Sequence, residues 1–166
     1  MMPTRIFFSL LLLLPSLSIA SESHCATGET VAFSCSVGSK TVSVCVTGDG
    51  TNNVQYRFGA LGSREISYPE SRAGGNQHVR SGYVLFAAGD ARYIRFTNRA
   101  YEYVVYEGAG RGWAQEGLAV LKDGNVISSK QCVGPNVSAF AAASSLEQDS
   151  DEVALAKWDL VPIASD

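Results

Sequence analysis

The sequence predicts an all-β domain: a small antiparallel β-barrel, or a sandwich, of about eight strands. Short runs of aromatic and β-branched residues alternate with period two, and glycine, asparagine and aspartate separate them at hairpin spacing. No helical pattern precedes residue 134. A barrel is favoured over a sandwich because closure removes the exposed edges of the sheet.

The first 20 residues have the pattern of a signal peptide. Arg5 precedes the apolar run 6–14, and Ser18-Ile19-Ala20 offers small residues for cleavage after Ala20. The apolar run is too short to span a bilayer, and no later segment is long and apolar enough. We therefore expect a periplasmic or secreted protein without a membrane span, whose β-domain occupies residues 21–133.

The charge balance limits the classes of partner. Without Arg5, the chain carries 12 basic and 16 acidic side chains, a net charge of −4. This balance argues against nucleic acid and anionic membranes as partners and is compatible with a basic protein. The acidic excess lies in residues 134–166, which predict a tail of low order. The alternatives are a short helix within residues 151–157, or docking of Trp158, Leu160 and Ile163 on the barrel.

Four cysteines remain after cleavage: Cys25, Cys35, Cys45 and Cys132. An even number in a small exported chain favours two disulfides, with three possible connectivities. A metal site is the alternative, but CxxC and HxxxH spacings are missing, so neither a metal nor a cofactor is expected. A Gly38-Ser39 turn would place Cys35 opposite Val42 and Cys45 on the other face, which favours Cys25–Cys45 with Cys35–Cys132.

A second hairpin is expected from residues 92–97 and 101–106, which are dense in aromatic and β-branched residues. Asn98-Arg99 fits a two-residue turn, since asparagine tolerates the left-handed conformation. In that register Arg95 lies opposite Glu102, an opposite-charge pair across the strands.

The remaining strands are separated by turn residues. Residues 69–77 (PESRAGGNQ) predict an irregular surface loop, and Asp123-Gly124 is the strongest hairpin signal in the chain. The strands themselves are expected at residues 54–58, 65–68, 78–86, 118–122 and 125–127.

The sequence does not favour an enzyme. It lacks a Gly-x-Ser-x-Gly elbow, a P-loop and a Rossmann fingerprint. His78 is the one general base to consider beyond the N-terminus, and no nucleophile or orienting acid accompanies it. Glu102, Glu107 and Glu116 offer the residue types of a glycosidase acid pair, but their spacing alone does not support one.

The arginines point to one candidate binding residue. Residues 57–111 contain eight arginines and no lysine, and most are expected in cross-strand ion pairs. Arg111 differs because it stands in Gly108-Ala109-Gly110-Arg111-Gly112, where glycines let the backbone turn sharply and project one charged side chain. A plain glycine-rich turn is the alternative.

Two segments resemble the motifs of the bacterial periplasmic and membrane-bound inhibitors of c-type lysozyme. Ser81-Gly82-Tyr83-Val84-Leu85 is similar to that family's SGxxY, with Leu85 in place of the second tyrosine. Residues 106–112 (YEGAGRG) are similar to YxxxTKG, with Gly110 for threonine and Arg111 for lysine. The positions of Cys35 and Cys132 also fit the layout of this family of small antiparallel barrels.

The resemblance implies an inhibitor whose loops enter the cleft of a lysozyme-like hydrolase. Arg111, assisted by the Ser81 hydroxyl, would bind the two catalytic carboxylates, and a basic lysozyme would attract a chain of net charge −4. The alternative function is a binding or scaffold module whose acidic tail engages a basic envelope partner. The implied inhibitory residues are Ser81, Gly82, Tyr83, Tyr106, Gly110, Arg111, Gly112 and Trp113.

Overall fold

The computed structural model describes residues 22–160, so the predicted signal peptide and the last six residues lie outside the described residues. The described chain forms ten strands and one α-helix, and no helix in it has the length and apolar composition to cross a bilayer. The elements are β1 (Thr30–Val37), β2 (Lys40–Val46), β3 (Val54–Ala60), β4 (Ser63–Tyr68), β5 (Val79–Phe86), β6 (Gly89–Asn98), β7 (Tyr101–Gly110), β8 (Trp113–Lys122), β9 (Asn125–Gln131), β10 (Val133–Ser138) and α1 (Asp151–Leu160).

The strands form two five-stranded antiparallel sheets. Sheet 1 has the order β10-β1-β2-β3-β4, and sheet 2 has the order β5-β6-β7-β8-β9. The all-β prediction is confirmed, but the sheets form the sandwich alternative and do not close into the barrel that was favoured. The chain leaves sheet 1 at Pro69, which cannot donate a ladder hydrogen bond, and passes through a 3₁₀ turn at Arg72–Gly74 before β5 begins sheet 2.

The main core lies between the two sheets. On β2 the apolar residues Val42, Val44 and Val46 alternate with Thr41, Ser43 and Cys45, so the period of two selects one face for this core. Aromatic residues of both sheets meet there, and the rings of Tyr56 and Phe96 lie 5.7 Å apart. Buried Val79, Ile94, Val105 and Leu118 extend the same core from sheet 2.

Two of the three predicted hairpin registers are confirmed. Cys35 pairs with Val42 across the Gly38-Ser39 turn, and Lys122 pairs with Asn125 across Asp123-Gly124. Both residues of the Asp123-Gly124 turn have positive φ, 49° and 79°, as a two-residue hairpin of type I′ requires.

The predicted register of the β6–β7 hairpin is wrong by one residue on each strand. Asn98 pairs with Tyr101, so the turn is Arg99-Ala100, with Arg99 at φ 56°. Arg95 therefore lies opposite Val104 and does not pair directly with Glu102. Its ion-pair partner is Asp149, 54 residues later in the sequence, so the residues of the hairpin alone could not identify it.

The N-terminal segment of the described chain covers the outer face of sheet 1. The Cys25–Cys45 disulfide attaches this segment to β2, and Arg57 on β3 binds it electrostatically. Arg57 donates hydrogen bonds of 2.6 and 2.8 Å to the Glu29 carboxylate and one of 2.7 Å to the His24 carbonyl. The Arg57 and Glu29 side chains are only 5% and 8% exposed, so this is a buried bidentate ion pair.

The Cys35–Cys132 disulfide links β1 to the segment of chain that connects the two sheets. Cys132 separates β9 of sheet 2 from β10 of sheet 1, and β10 pairs with β1. Both predicted pairings are therefore confirmed. The bond closes a loop of 97 residues in sequence separation, a length for which chain entropy predicts a stabilisation of about 4–5 kcal/mol.

The described part of the tail, residues 134–160, is largely ordered. The expected boundary at residue 134 falls inside β10, and Ala143 and Leu146 are buried in the core between the sheets. Helix α1 then crosses the outer face of sheet 2, where Ala154 and Trp158 are buried against Tyr93 and Tyr106. The predicted alternatives of a short helix and of a docked Trp158 are both observed for residues 151–160, whereas Leu160 is exposed and Ile163 lies outside the described residues.

An ion pair holds this tail against sheet 2. The Asp149 carboxylate accepts hydrogen bonds of 2.7 and 2.6 Å from the Arg95 guanidinium and one of 2.6 Å from the Tyr93 hydroxyl. The Ser81 N–H donates to the Glu147 carbonyl, and the Asp149 N–H donates to the Ser81 carbonyl. Residues 147–149 thereby cover the edge of β5, which would otherwise be open to another chain.

We expect Asp149→Asn to destabilise the fold by about 3 kcal/mol, because it leaves the Arg95 guanidinium without its partner on a largely buried surface. Burial alone would raise the pKa of Asp149, but the hydrogen bonds from Arg95 and Tyr93 lower the pKa below its usual value. A lowered carboxyl pKa stabilises the fold above the unfolded-state pKa, and this stabilisation disappears as the pH falls through the folded-state pKa.

Urea unfolding of wild type and variant at pH 7 and near pH 3 measures this effect. The difference in the free energy of unfolding between wild type and Asp149→Asn should be smaller near pH 3 than at pH 7. Asp159→Asn, on the exposed face of α1, is the matched control and should change the free energy of unfolding by less than about 0.5 kcal/mol. An equal effect of the two substitutions at pH 7 would rule out the ion pair as the anchor.

Candidate functional site

The two turns that join β5 to β6 and β7 to β8 lie side by side, and we call this region the hairpin end of sheet 2. The Arg111 N–H donates a 2.9 Å hydrogen bond to the Ala88 carbonyl, which links the two turns. The neighbouring strands approach so closely that a Cβ on Gly89 would lie 2.2 Å from the Ala109 carbonyl oxygen. The two turns are therefore in direct backbone contact.

The glycine-rich loop predicted over residues 108–112 is mostly strand. Gly108 and Gly110 belong to β7, and only Arg111-Gly112 forms the turn, with Gly112 at φ 81°. The glycine at position 108 leaves room for the Trp158 ring, because a Cβ there would lie 2.6 Å from the indole. These glycines serve packing and the turn, and Arg111 is presented by a tight hairpin.

Arg111 stands at the tip of this hairpin with an exposed side chain. Among residues 22–160 no carboxylate forms an ion pair with it. Arg57, Arg80, Arg92 and Arg95 each contact a carboxylate, but only the Arg92–Glu107 pair joins two adjacent strands, so the expectation of cross-strand ion pairs for most of the arginines is wrong. Arg111 is thus a guanidinium available to a partner outside the chain.

Two exposed side chains lie on the C-terminal half of β5, which leads into the hairpin end. Tyr83 is 48% exposed and Leu85 is 75% exposed. They share the inward-facing side of sheet 2 with Arg92 and Asp90, their direct cross-strand neighbours, at an end where sheet 1 does not cover that face. Tyrosine and arginine are enriched at the centre of protein interfaces, and the exposed Leu85 adds apolar surface beside them.

Ser81 does not join Arg111. It lies within β5 opposite Ile94, and its backbone bonds to Glu147 and Asp149. The hairpin end begins beyond Gly89, so roughly six residues of strand, about 20 Å, separate the Ser81 row from the Arg111 turn. The expected cooperation of the Ser81 hydroxyl with Arg111 has no geometric basis in this fold.

Gly82, Tyr106 and Trp113 face the opposite side of sheet 2, under α1. A Cβ on Gly82 would lie 2.2 Å from the Tyr93 ring, so this glycine is required by packing. Tyr106 is fully buried, and burial raises the pKa of its hydroxyl. The ring of Trp113 lies 6.1 Å from those of Phe86 and Trp158. These three residues act within the core, which the motif resemblance did not reveal.

A second feature of the hairpin end is a pair of carboxylates. Glu107 and Glu116 lie directly opposite each other on β7 and β8, in a pocket of about 260 Å³ that Arg92 also lines. Arg92 forms an ion pair of 3.2 Å with Glu107, and Ser138 of β10 donates a hydrogen bond to the same carboxylate. Burial and the charge of Glu107 raise the pKa of Glu116, although a hydrogen bond from the Asn136 side chain partly offsets this.

Glu107 and Glu116 were considered as candidate acids, but the sequence did not place them together because residues 108–112 were expected to form an open loop. A two-residue turn at Arg111-Gly112 places positions 107 and 116 opposite each other, since they are equally far from it. His78, the other catalytic candidate, has an exposed side chain and lies next to the start of β5. Glu102 is bound by Lys157 of α1 at 2.5 Å.

One group of metal-ligating residue types occurs in the described chain. Ligand atoms of Cys25, Glu29 and Cys45 lie within 4.8 Å of one another. Both sulfur atoms belong to the Cys25–Cys45 disulfide, and Arg57 binds the Glu29 carboxylate. This cluster therefore offers no thiolate to a metal ion.

Comparison with known proteins gives no match: no protein-family model, no curated protein and no solved structure is significantly similar to this chain. The class of protein defined by the structure itself is a disulfide-bonded antiparallel β-sandwich. Such disulfides form and persist in oxidising, extracytoplasmic compartments.

We expect Glu116→Gln to raise the melting temperature at pH 7 and to leave it unchanged near pH 3.5. A carboxyl pKa that is raised on folding favours the neutral form, so the destabilising effect of the charge grows as the pH rises past the unfolded-state pKa. Glutamine keeps an acceptor for Asn136 and removes the repulsion from Glu107. Thermal unfolding across this pH range measures the effect, with the exposed Glu70→Gln as control. A lower melting temperature for Glu116→Gln at pH 7 would contradict the expectation.

Proposed function

We propose that this protein is an exported inhibitor of a lysozyme-like glycoside hydrolase, and that it binds the enzyme with the hairpin end of sheet 2. The predicted signal peptide and the disulfides support an extracytoplasmic, periplasmic or secreted, location. The observation that carries the proposal is the exposed Arg111 at a hairpin tip, together with exposed Tyr83 and Leu85 on the neighbouring β5.

The chemistry of the target fits a guanidinium at such a tip. Lysozyme-like hydrolases act with two carboxylates that flank the scissile bond in a cleft. A planar guanidinium can form charge-assisted, bidentate hydrogen bonds with a carboxylate, and a narrow hairpin can reach into a cleft. Since the Arg111 N–H is bonded to Ala88, the turn is ordered before binding, which lowers the entropy lost on association.

The residues around Arg111 define how the contact differs from the one that the motif resemblance implies. Ser81, Gly82, Tyr106 and Trp113 have structural roles, whereas Tyr83, Arg111 and Gly112 remain at the surface. Leu85 joins them as the most exposed of the large apolar side chains described. We infer that Tyr83 and Leu85 pack against the rim of the enzyme cleft while Arg111 enters it.

The experiment is a cell-wall lysis assay with c-type, g-type and i-type lysozymes and a stoichiometric amount of the purified protein. We expect inhibition of at least one class, and we expect Arg111→Ala to weaken it about 30-fold or more, as for a central interface arginine worth at least 2 kcal/mol. Arg64→Ala, an exposed arginine of sheet 1, is the matched control and should leave inhibition unchanged. No inhibition of any class would exclude the proposal.

The same assay distinguishes the scaffold alternative. Asp149 and Glu147 already form ion pairs with Arg95 and Arg80, so the exposed acids of α1 are the charges that a basic partner would meet. Neutralising Asp151, Glu152 and Asp159 together should leave hydrolase inhibition within about threefold of wild type, since exposed charges at an interface rim contribute little. A larger loss than that of Arg111→Ala would favour binding through the tail.

A second candidate function is acid–base hydrolysis by the protein itself. The specific observation is that Glu116 has a raised pKa directly beside the Glu107 carboxylate, which Arg92 contacts. When the environments of two neighbouring carboxyl groups move their pKa values apart, one group can act as a general acid and the other as its ionised partner. Lysis of cell walls by the protein alone, lost in Glu116→Gln, would support this function over inhibition.

A further inference from the structure

We propose that the cleft between the two sheets binds an amphipathic anion: a single alkyl or acyl chain with a carboxylate or similar head group. The cleft opens between β3 and β4 of sheet 1 and β7 to β9 of sheet 2, and it shares no lining residue with the pocket of Glu107 and Glu116. Its volume of about 530 Å³ lies within the range of small-molecule binding sites. The inference is independent of the proposed inhibition.

The interior of the cleft is apolar and aromatic. Tyr56 and Tyr103, one from each sheet, stack with ring centroids 4.9 Å apart, and Phe58 stacks on Tyr56 at 6.4 Å. Leu118 and Val120 of β8 form the opposite wall. Phe58, Tyr103 and Val120 are only partly buried, so a hydrocarbon chain in the cleft would remove their apolar surface from water.

The mouth of the cleft is positively charged. Lys40 of sheet 1 and Lys130 of sheet 2 both line it, and no carboxylate does so among the described residues. Lys130 pairs with Leu118 across β8 and β9, so the two side chains lie on the same face of sheet 2; Lys130 is exposed and has no ion-pair partner in residues 22–160. The Lys40 ammonium lies 5.3 Å from the Phe58 ring centroid and 2.8 Å from Glu65.

These features select the ligand class. Glu65 compensates the charge of Lys40, but Lys130 has no ion-pair partner in residues 22–160 and disfavours a cationic head group. Ser39 and Ser128 add hydroxyl groups among the lining residues that can bond to an anionic one. The volume of about 530 Å³ suits one alkyl chain of a small ligand. We therefore assign the cleft to a free single-chain amphiphile and not to a two-chain bilayer lipid.

The first test is displacement of a dansylated undecanoic acid from the full-length purified protein by dodecanoate, with 1-dodecanol as the neutral ligand of equal length. We expect dodecanoate to bind more tightly than the alcohol. Lys130→Glu should weaken dodecanoate about threefold to tenfold and leave 1-dodecanol unchanged, which is the scale of an exposed charge interaction. Lys122→Glu, an exposed lysine outside the cleft, is the matched control and should have no effect.

A second variant tests the cavity itself. Val120→Trp places an indole in the cleft and should weaken both ligands at least tenfold, with circular dichroism verifying that the β-sandwich is retained. The proposal would be overturned if Val120→Trp bound the probe and released it to dodecanoate as wild type does. It would also be overturned if wild type bound dodecanoate and the alcohol with equal affinity. The proposal would also be overturned if the protein sedimented with vesicles of anionic two-chain phospholipid as tightly as it binds dodecanoate, and if Val120→Trp abolished that sedimentation. Arg111→Ala should bind dodecanoate as wild type does, so failure of this proposal and failure of the inhibitor proposal are separable.

Discussion

The buried ion pair between Arg95 and Asp149 determines how the second half of the fold is completed. The Asp149 side chain is only 6% exposed and accepts hydrogen bonds from Arg95 and Tyr93. It places residues 147–149 along the edge of β5 and positions Ser150, whose carbonyl and hydroxyl accept the first hydrogen bonds of α1. A ten-residue helix has little stability alone, so α1 depends on this attachment and on the burial of Trp158.

The same constraint applies to both sheets: each has two faces to cover, and the sandwich core covers only one of them. The N-terminal segment covers the other face of sheet 1 through Cys25 and Glu29, and α1 covers that of sheet 2 through Trp158. This explains why polar residues such as Ser34, Ser43 and Arg57 on outward positions of sheet 1 are buried. The hairpin end of sheet 2 and the cleft between the sheets are among the regions that remain open in the described chain, and the two binding proposals rest on them.

Local patterns predicted most of the strands and the two disulfides, because period-two alternation and short turns are encoded by neighbouring residues. They did not predict β10, which was assigned to the tail. Asp123-Gly124 predicted its hairpin fully, and the Gly38-Ser39 turn placed Cys35 opposite Val42. The partner of Arg95 was not predictable in this way, since it lies 54 residues away and a carboxylate nearer in sequence, Glu102, offered a plausible pairing. Sandwich and barrel also share the same strand pattern, and they differ in whether β4 and β5 pair.

In the candidate site, too, local sequence predicted some features, and contacts with distant parts of the chain determined the others. Exposure of Arg111 at a turn followed from the glycines beside it, whereas the roles of Ser81, Gly82 and Tyr106 were set by which face of sheet 2 the tail covers. The Glu107–Glu116 pair needed only the correct turn length. Residues that match a short motif can therefore serve packing when the surrounding chain buries them.

The position of β1 has a consequence for the way the chain matures. β1 lies between β2 and β10, so one side of this early strand waits for residues 133–138, among the last that the structure describes before α1. Until they arrive, the edge of Thr30–Val37 is open and Cys35 is a reactive thiol, a state that invites intermolecular pairing and mixed disulfides. A chain that emerges N-terminus first therefore cannot complete sheet 1 until residues 133–138 have emerged.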